Sequence, residues 1–357
     1  MKRKILASAL CAVMLVCCAA VLLACDDGTP PSQFYEASQD DYSGDKTMIV
    51  YLGDSIAEGI LGASPLSLRH EYAYANVLGR RNDYLYYNHS VSGHLTKDLL
   101  SVLNNELGYD GARALIAHVM QADIIHVSIL GNDLLQDMSM NDVVLEAAQG
   151  KYTIIDGIAD TAYKNISAIV ARIRELNPDA TLVFQNVYNP LSENSTLIDQ
   201  ATRDLLLTDA YGNVEPSEFR ALGAGILDRL NGVLDRYLEE NPGAFYIADA
   251  RAEFDRIFEE DYERGKSLIY PDYIHPSNEG HAVLADVTQS LLEELGLADS
   301  AAALANYKTM RKDLLRNHFY GVVSDVDGVC AAIDEATDCV AVTEIFFRAT
   351  DGLTPEY

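Results

Sequence analysis

Tryptophan is absent from this 357-residue chain, and four of its six cysteines (Cys11, Cys17, Cys18 and Cys25) fall within the first 25 residues. Only Cys330 and Cys339 remain for a folded domain. That excludes a disulfide-built scaffold and leaves two readings, one small bridged loop in an oxidising compartment or two reduced, buried thiols. Basic residues are scarce, with 26 Lys and Arg against 54 Asp and Glu, a formal net charge of −28. Such a surface repels nucleic acid and anionic polymers, so no nucleic-acid partner is expected and neutral or locally apolar substrates fit better. His89, His94 and His126 lack a ligand spacing such as His-x-x-x-His, and no cysteine joins them. Neither a metal nor another cofactor is expected. There is no internal repeat. Without tryptophan, any aromatic lining of a carbohydrate or acyl site falls to the 21 tyrosines, most of which read as core-edge residues.

What is present begins with a leader. Lys2, Arg3 and Lys4 precede an apolar stretch from Ile5 to Leu23, ending in Leu22-Leu23-Ala24-Cys25. This is the shape of a bacterial secretory signal. Its ending resembles the lipobox of lipoproteins, which implies lipidation of Cys25; an uncleaved membrane anchor is the competing reading. Residues 1–24 are thus read as signal peptide and 25–46 as a polar, flexible tether. The catalytic part is expected outside the cytoplasm, held to the membrane.

Composition beyond the leader is globular, 49% hydrophobic and 22% charged for the whole chain. Short apolar runs at Met48–Leu52, Tyr84–Asn88, Asp123–Leu130, Thr181–Val187 and Ala244–Ala248 read as strands. Helical patterns alternate with them at 70–81, 96–107, 111–121, 160–176, 216–240, 252–260 and 277–295. Residues 134–155 read as an insertion of loops with a short helix, and 188–214 as a loop or lid beside the sheet edge. Alternating strands and helices predict an α/β domain over 47–298, a parallel sheet with helices on both faces. Residues 299–357 form a C-terminal extension, helical over 301–315 and mixed beyond, to which the sequence assigns no role.

Chemistry-bearing residues stand at or after strand ends. Ser55 closes Gly53-Asp54-Ser55 after the first strand, Gly93 follows the second, Asn132 the third, and Asp272 with His275 the fifth. In a parallel sheet those loops converge on one edge. A hydroxyl, a histidine base with an unperturbed pKa of about 6.5, an orienting carboxylate and N–H donors are the set that acyl transfer needs. Asp272 lies three residues before His275, so one tight turn brings carboxylate to imidazole. Pro276 limits His275 to extended geometry. Asp54 reads as a structural partner of the turn, and His281 as a packing residue on the following helix.

These blocks, Gly53-Asp54-Ser55, Gly93, Gly131-Asn132-Asp133 and Asp272-x-x-His275, resemble the four ordered motifs of the GDSL/SGNH hydrolases. Ile56 stands where the family name has leucine. The resemblance covers roughly 47–296 and implies a three-layer α/β/α, flavodoxin-like sandwich. It implies metal-free ester hydrolysis through an acyl-serine, with Ser55 as nucleophile, His275 and Asp272 completing the triad, and Ser55, Gly93 and Asn132 forming the oxyanion hole. The expected substrate is a small acyl ester, a lipid or an acetylated glycan. The expected activity is that of an esterase or lipase, with a polysaccharide deacetylase next and a phospholipase or thioesterase behind. A non-enzymatic substrate-binding lipoprotein is the reading from another class.

Overall fold

The computed structural model describes residues 36–37, 46–62, 68–106, 108, 110–136, 140–269 and 271–353. The leader, Cys25 and most of the expected tether lie outside those residues. Among the described residues, no helix is long and apolar enough to cross a membrane.

Six strands form one sheet: β1 (Glu36–Ala37), β2 (Met48–Gly53), β3 (Leu85–Asn88), β4 (Ile124–Ser128), β5 (Thr181–Gln185) and β6 (Tyr246–Ala248), in the order β1-β3-β2-β4-β5-β6. β2 to β6 are parallel, and β1, inside the stretch read as tether, adds an antiparallel edge to β3. The five parallel strands follow the flavodoxin-like order, in which ligands bind where the winding reverses, here between β2 and β4 at their carboxyl ends. Register puts Tyr51 opposite Asn88 on one side of β2, and Gly53 opposite Ser128 on the other.

Both faces of the sheet are covered, which explains why the strands read as unbroken apolar runs. Val50, Leu52, Ile125, Val127, Leu182 and Phe184 point into one core, and Ile49, Tyr51, Ile124 and Val183 into the other. Helices Thr153–Leu176 and Phe219–Glu240 close the first face with Ile166, Ile169, Ile173, Ile226 and Leu230. Helices Tyr74–Arg81, Ala250–Glu260 and Asn278–Glu294 close the second. Burial of each such aliphatic side chain is worth roughly 1.5–3 kcal/mol, so the two cores carry the fold.

Several expected elements change shape. The helix expected over 70–81 breaks at Ala73 into Arg69–Tyr72 and Tyr74–Arg81. A Cβ on Gly59 would lie 2.5 Å from the Ala73 Cβ, so the chain bends where it meets the turn after Ser55. His281 Nδ1 receives the Tyr74 N–H left over at the break, at 3.4 Å, while its Nε2–H donates to the Ile60 carbonyl at 2.8 Å. His281 is therefore a buried, neutral packing residue. The stretch 134–155 contains helix Met140–Ala148 and the start of Thr153–Leu176, and 188–214 contains helix Gln200–Leu206.

The described part of the tail carries three helices, Ser300–His318, Val326–Glu335 and Cys339–Thr350, joined by short turns. Leu314, Leu315, Ile333, Val342 and Phe346 enter the second core beside Tyr72, Leu284 and Leu292. Arg81, at the end of helix Tyr74–Arg81, joins them to the rest of the domain. It donates to Asp286 at 2.7 Å and lies 3.7 Å over the Tyr307 ring, and Thr343 donates to the other Asp286 oxygen at 2.8 Å. Cys330 and Cys339 are free and buried.

Candidate active site

Gly53 ends β2 because nothing larger fits. A Cβ there would sit 1.9 Å from the Ser128 carbonyl oxygen, and φ is +153°. Asp54 N–H donates to that same carbonyl at 3.1 Å. The Asp54 side chain then caps the short helix Ser55–Glu58 by accepting the Ile56 N–H at 3.0 Å. Ser55 is thus the first helical residue, held by a strand end behind it and a cap beside it.

His275 Nε2 lies 2.9 Å from Ser55 Oγ, and His275 Nδ1 lies 2.7 Å from Asp272 Oδ2. The other Asp272 oxygen accepts the N–H groups of Ile274 at 2.9 Å and His275 at 2.8 Å. Tyr273 adopts φ +58° to make this turn possible. Burial pushes the Asp272 carboxyl up, but the His275 hydrogen bond and the two amides outweigh it, leaving the group below the ordinary carboxylate range. Thr196 Oγ1 donates to the Asp272 carbonyl at 3.0 Å, and the Tyr188 hydroxyl donates to the Ile274 carbonyl. The loop that brings His275 to Ser55 is held from both flanks.

The remaining expected residues flank this chain of hydrogen bonds. Gly93 lies in the loop after β3, with φ +82°. That loop is tied to the Ser55 turn by the Val91 N–H to Gly53 O bond at 3.0 Å, and by Asn88 Nδ2, which donates to Ala57 O at 2.7 Å. Asn132 opens the helix Gly131–Gln136 after β4 and donates one Nδ2–H to the His94 carbonyl at 3.1 Å. Leu130, just before it, is held at φ +112°, a conformation that costs a β-carbon-bearing residue on the order of 1–3 kcal/mol. Asp133 anchors the neighbourhood by accepting the Thr96 N–H at 3.0 Å and its hydroxyl at 2.6 Å.

Asp54 is almost fully buried, and burial raises its carboxyl to about 7 despite the Ile56 amide. His126 sits mid-strand in β4 with its pKa lowered by burial to about 3, and His89 pairs with His118 at 2.7 Å. Among the described residues no group of three or more His, Cys, Asp or Glu could hold a metal ion.

One feature had no local signal in the sequence. An open apolar recess with a cavity volume of about 40 Å³ is lined by Ile56 and Ile274, the chain neighbours of Ser55 and His275, together with Leu134, Leu191, Ile226 and Leu227. Its walls come from five separate stretches of chain, none distinctive alone. The segment beyond β5, read from the sequence as a loop or lid, supplies Pro190, Leu191 and Leu197 to this wall, and Arg203 anchors it through the Glu193 and Ser195 carbonyls.

The model of the GDSL-like Lipase/Acylhydrolase family matches residues 51–283. The uncharacterized protein YpmR of Bacillus subtilis (strain 168) is 22% identical over 291 residues, covering 78% of this chain and 93% of that protein. Among solved structures, the lipase Lip_vut3 from a goat rumen metagenome is 19% identical, with a TM-score of 0.46, covering 68% of this chain and 96% of that one. Phospholipase A1 from Streptomyces albidoflavus NA297 is 20% identical, with a TM-score of 0.43, covering 69% and 99%.

Proposed function

Since the chain belongs to the GDSL-like lipase/acylhydrolase family, we propose that it is a serine hydrolase of carboxylic esters with Ser55, His275 and Asp272 as its triad. The observation that carries this reading is the continuous hydrogen-bond chain from Ser55 Oγ through His275 to Asp272. His275 takes the Ser55 proton as Oγ attacks the ester carbonyl, and Asp272 holds the tautomer and stabilises the imidazolium. The carbonyl oxygen becomes an oxyanion, received by the N–H groups of Ser55 and Gly93 and the second Nδ2–H of Asn132. Collapse expels the alcohol, which leaves with the proton from His275. Water, deprotonated by His275, then attacks the acyl-serine and releases the acid, and Ser55 regains its proton.

The recess beside Ile56 and Ile274 supports an acyl chain longer than acetyl, because its lining is almost wholly apolar. That favours an esterase or lipase over a glycan deacetylase. The leader and Cys25 support an extracytoplasmic enzyme tethered to the membrane by lipid. A fluorophosphonate probe tests the chemistry: it should label the wild-type protein and fail to label Ser55→Ala. Labelling of the Ser55→Ala protein would overturn the reading.

A further inference from the structure

Glu58 lies one helical turn beyond Ser55, and nothing in a serine-hydrolase mechanism requires a carboxylate there. Its side chain is nonetheless fully engaged. Oε2 accepts the Ser92 backbone N–H at 2.6 Å and also the Ser92 hydroxyl. Oε1 accepts from Arg69 Nη2 at 3.0 Å, and the Arg69 side chain is only 9% exposed. Ser92 immediately precedes Gly93 in the loop that also takes the Asn88–Ala57 and Asn132–His94 bonds.

We propose that Glu58 is a positioning residue for the oxyanion hole, holding Ser92 by its amide and hydroxyl and thereby setting the backbone that leads into Gly93, whose N–H meets the developing charge. The proposal rests on the ester-hydrolase reading above. Three physical points carry it. Gly93 at φ +82° has no β-carbon to restrict its backbone, so holding Ser92 in place narrows the conformations open to it. Ser92 is exposed, and a neutral acceptor would compete with water for its amide, whereas a charge-assisted bond to carboxylate is about twice as strong. A bare carboxylate near the hole would also oppose the oxyanion; Arg69 neutralises Glu58 on its far side. The same helix therefore presents the nucleophile and, one turn later, holds the loop that receives the charge. A donor misplaced by about an ångström can cost on the order of a hundredfold in rate.

The test is steady-state kinetics on Glu58→Gln and Ser92→Ala with an aryl ester, beside Ser55→Ala. Ser92→Ala removes the hydroxyl bond and keeps the amide bond, so its loss should be the smaller. For Glu58→Gln, kcat should fall roughly 10- to 100-fold with KM nearly unchanged and the thermal midpoint preserved. Affinity for an alkyl trifluoromethyl ketone, whose adduct with Ser55 carries the oxyanion, should fall by the same factor. Added to Asn132→Ala, Glu58→Gln should cost less than the product of the two separate effects, because both act on one hole. Wild-type kcat in Glu58→Gln would overturn the proposal, as would a loss confined to KM or to the folded fraction. Activity surviving in Ser55→Ala would instead overturn the underlying mechanism, whatever Glu58 does.

Discussion

His275 Nε2 stands 2.9 Å from Ser55 Oγ although 220 residues separate the two. Each is placed by a different device. Ser55 is set by a glycine-limited strand end and an aspartate cap, and His275 by a three-residue turn around the Asp272 carboxylate. The sheet brings the two devices together, because β2 and β6 run in the same direction and release their loops at one edge.

Asp272→Asn should leave the loop in place while presenting an N–H donor or a neutral oxygen to His275 Nδ1. A wrong imidazole tautomer then follows, and kcat should drop on the order of 10⁴-fold, as comparable triad substitutions do. Hydrolysis of a p-nitrophenyl ester, read with the thermal midpoint, checks this. A drop of less than about tenfold would move the orienting role away from Asp272.

Acyl length should follow the recess. Each methylene that finds an apolar wall is worth about 1–3 kcal/mol of discrimination, so kcat/KM should rise from acetyl through butyryl and fall again for palmitoyl esters. Leu227→Trp fills the inner wall and should shift the preference toward acetyl. A profile that peaks at acetyl in the wild-type protein would remove the recess from the binding site.

Asp54 makes a stability prediction of definite sign. Its folded carboxyl is raised to about 7, above its unfolded value, so the native state retains a proton that the unfolded chain has released. Stability should therefore fall as pH rises from about 4 to about 7, by a few kcal/mol at most. Asp54→Asn keeps an acceptor for the Ile56 N–H and carries no charge. Urea midpoints across that window should show the variant gaining on the wild type as pH increases; a constant difference would mean Asp54 does not titrate there.

His281 acts in the opposite sense. Burial lowers it to about 4, so the neutral native form is favoured above the ordinary histidine range, and stability is lost as pH falls from about 6.5 towards 4. In His281→Gln the acid branch of the stability profile should flatten, measured by the same titration. An unchanged acid branch would assign it to other groups.

Asp286→Ala would leave Arg81, whose side chain is wholly buried, without its carboxylate. Loss of one partner from such a pair costs about 3–5 kcal/mol. The denaturation midpoint should fall accordingly, and the helices of the tail should loosen with it, since Thr343 shares the same carboxylate. A loss below about 1 kcal/mol would show the pair to be solvated in solution.

The strands and the turns that carry Ser55 and His275 were legible in the sequence because both are written locally. Burial on two faces makes each parallel strand a continuous apolar run, and Gly53-Asp54-Ser55 and Asp272-x-x-His275 build their turns from adjacent residues. What tertiary structure alone decided lies between distant segments, where no periodicity or spacing records it. The helix break at Ala73 depends on Gly59 and on a nitrogen of His281, and the tail joins the domain through Arg81, Asp286 and Thr343. The recess takes its walls from five separate stretches, and Glu58 meets Ser92 only because β3 pairs with β2. Adjacent residues build the turns that carry Ser55 and His275; long-range packing brings the two turns together, shapes the recess beside them and ties down the loop that carries Gly93.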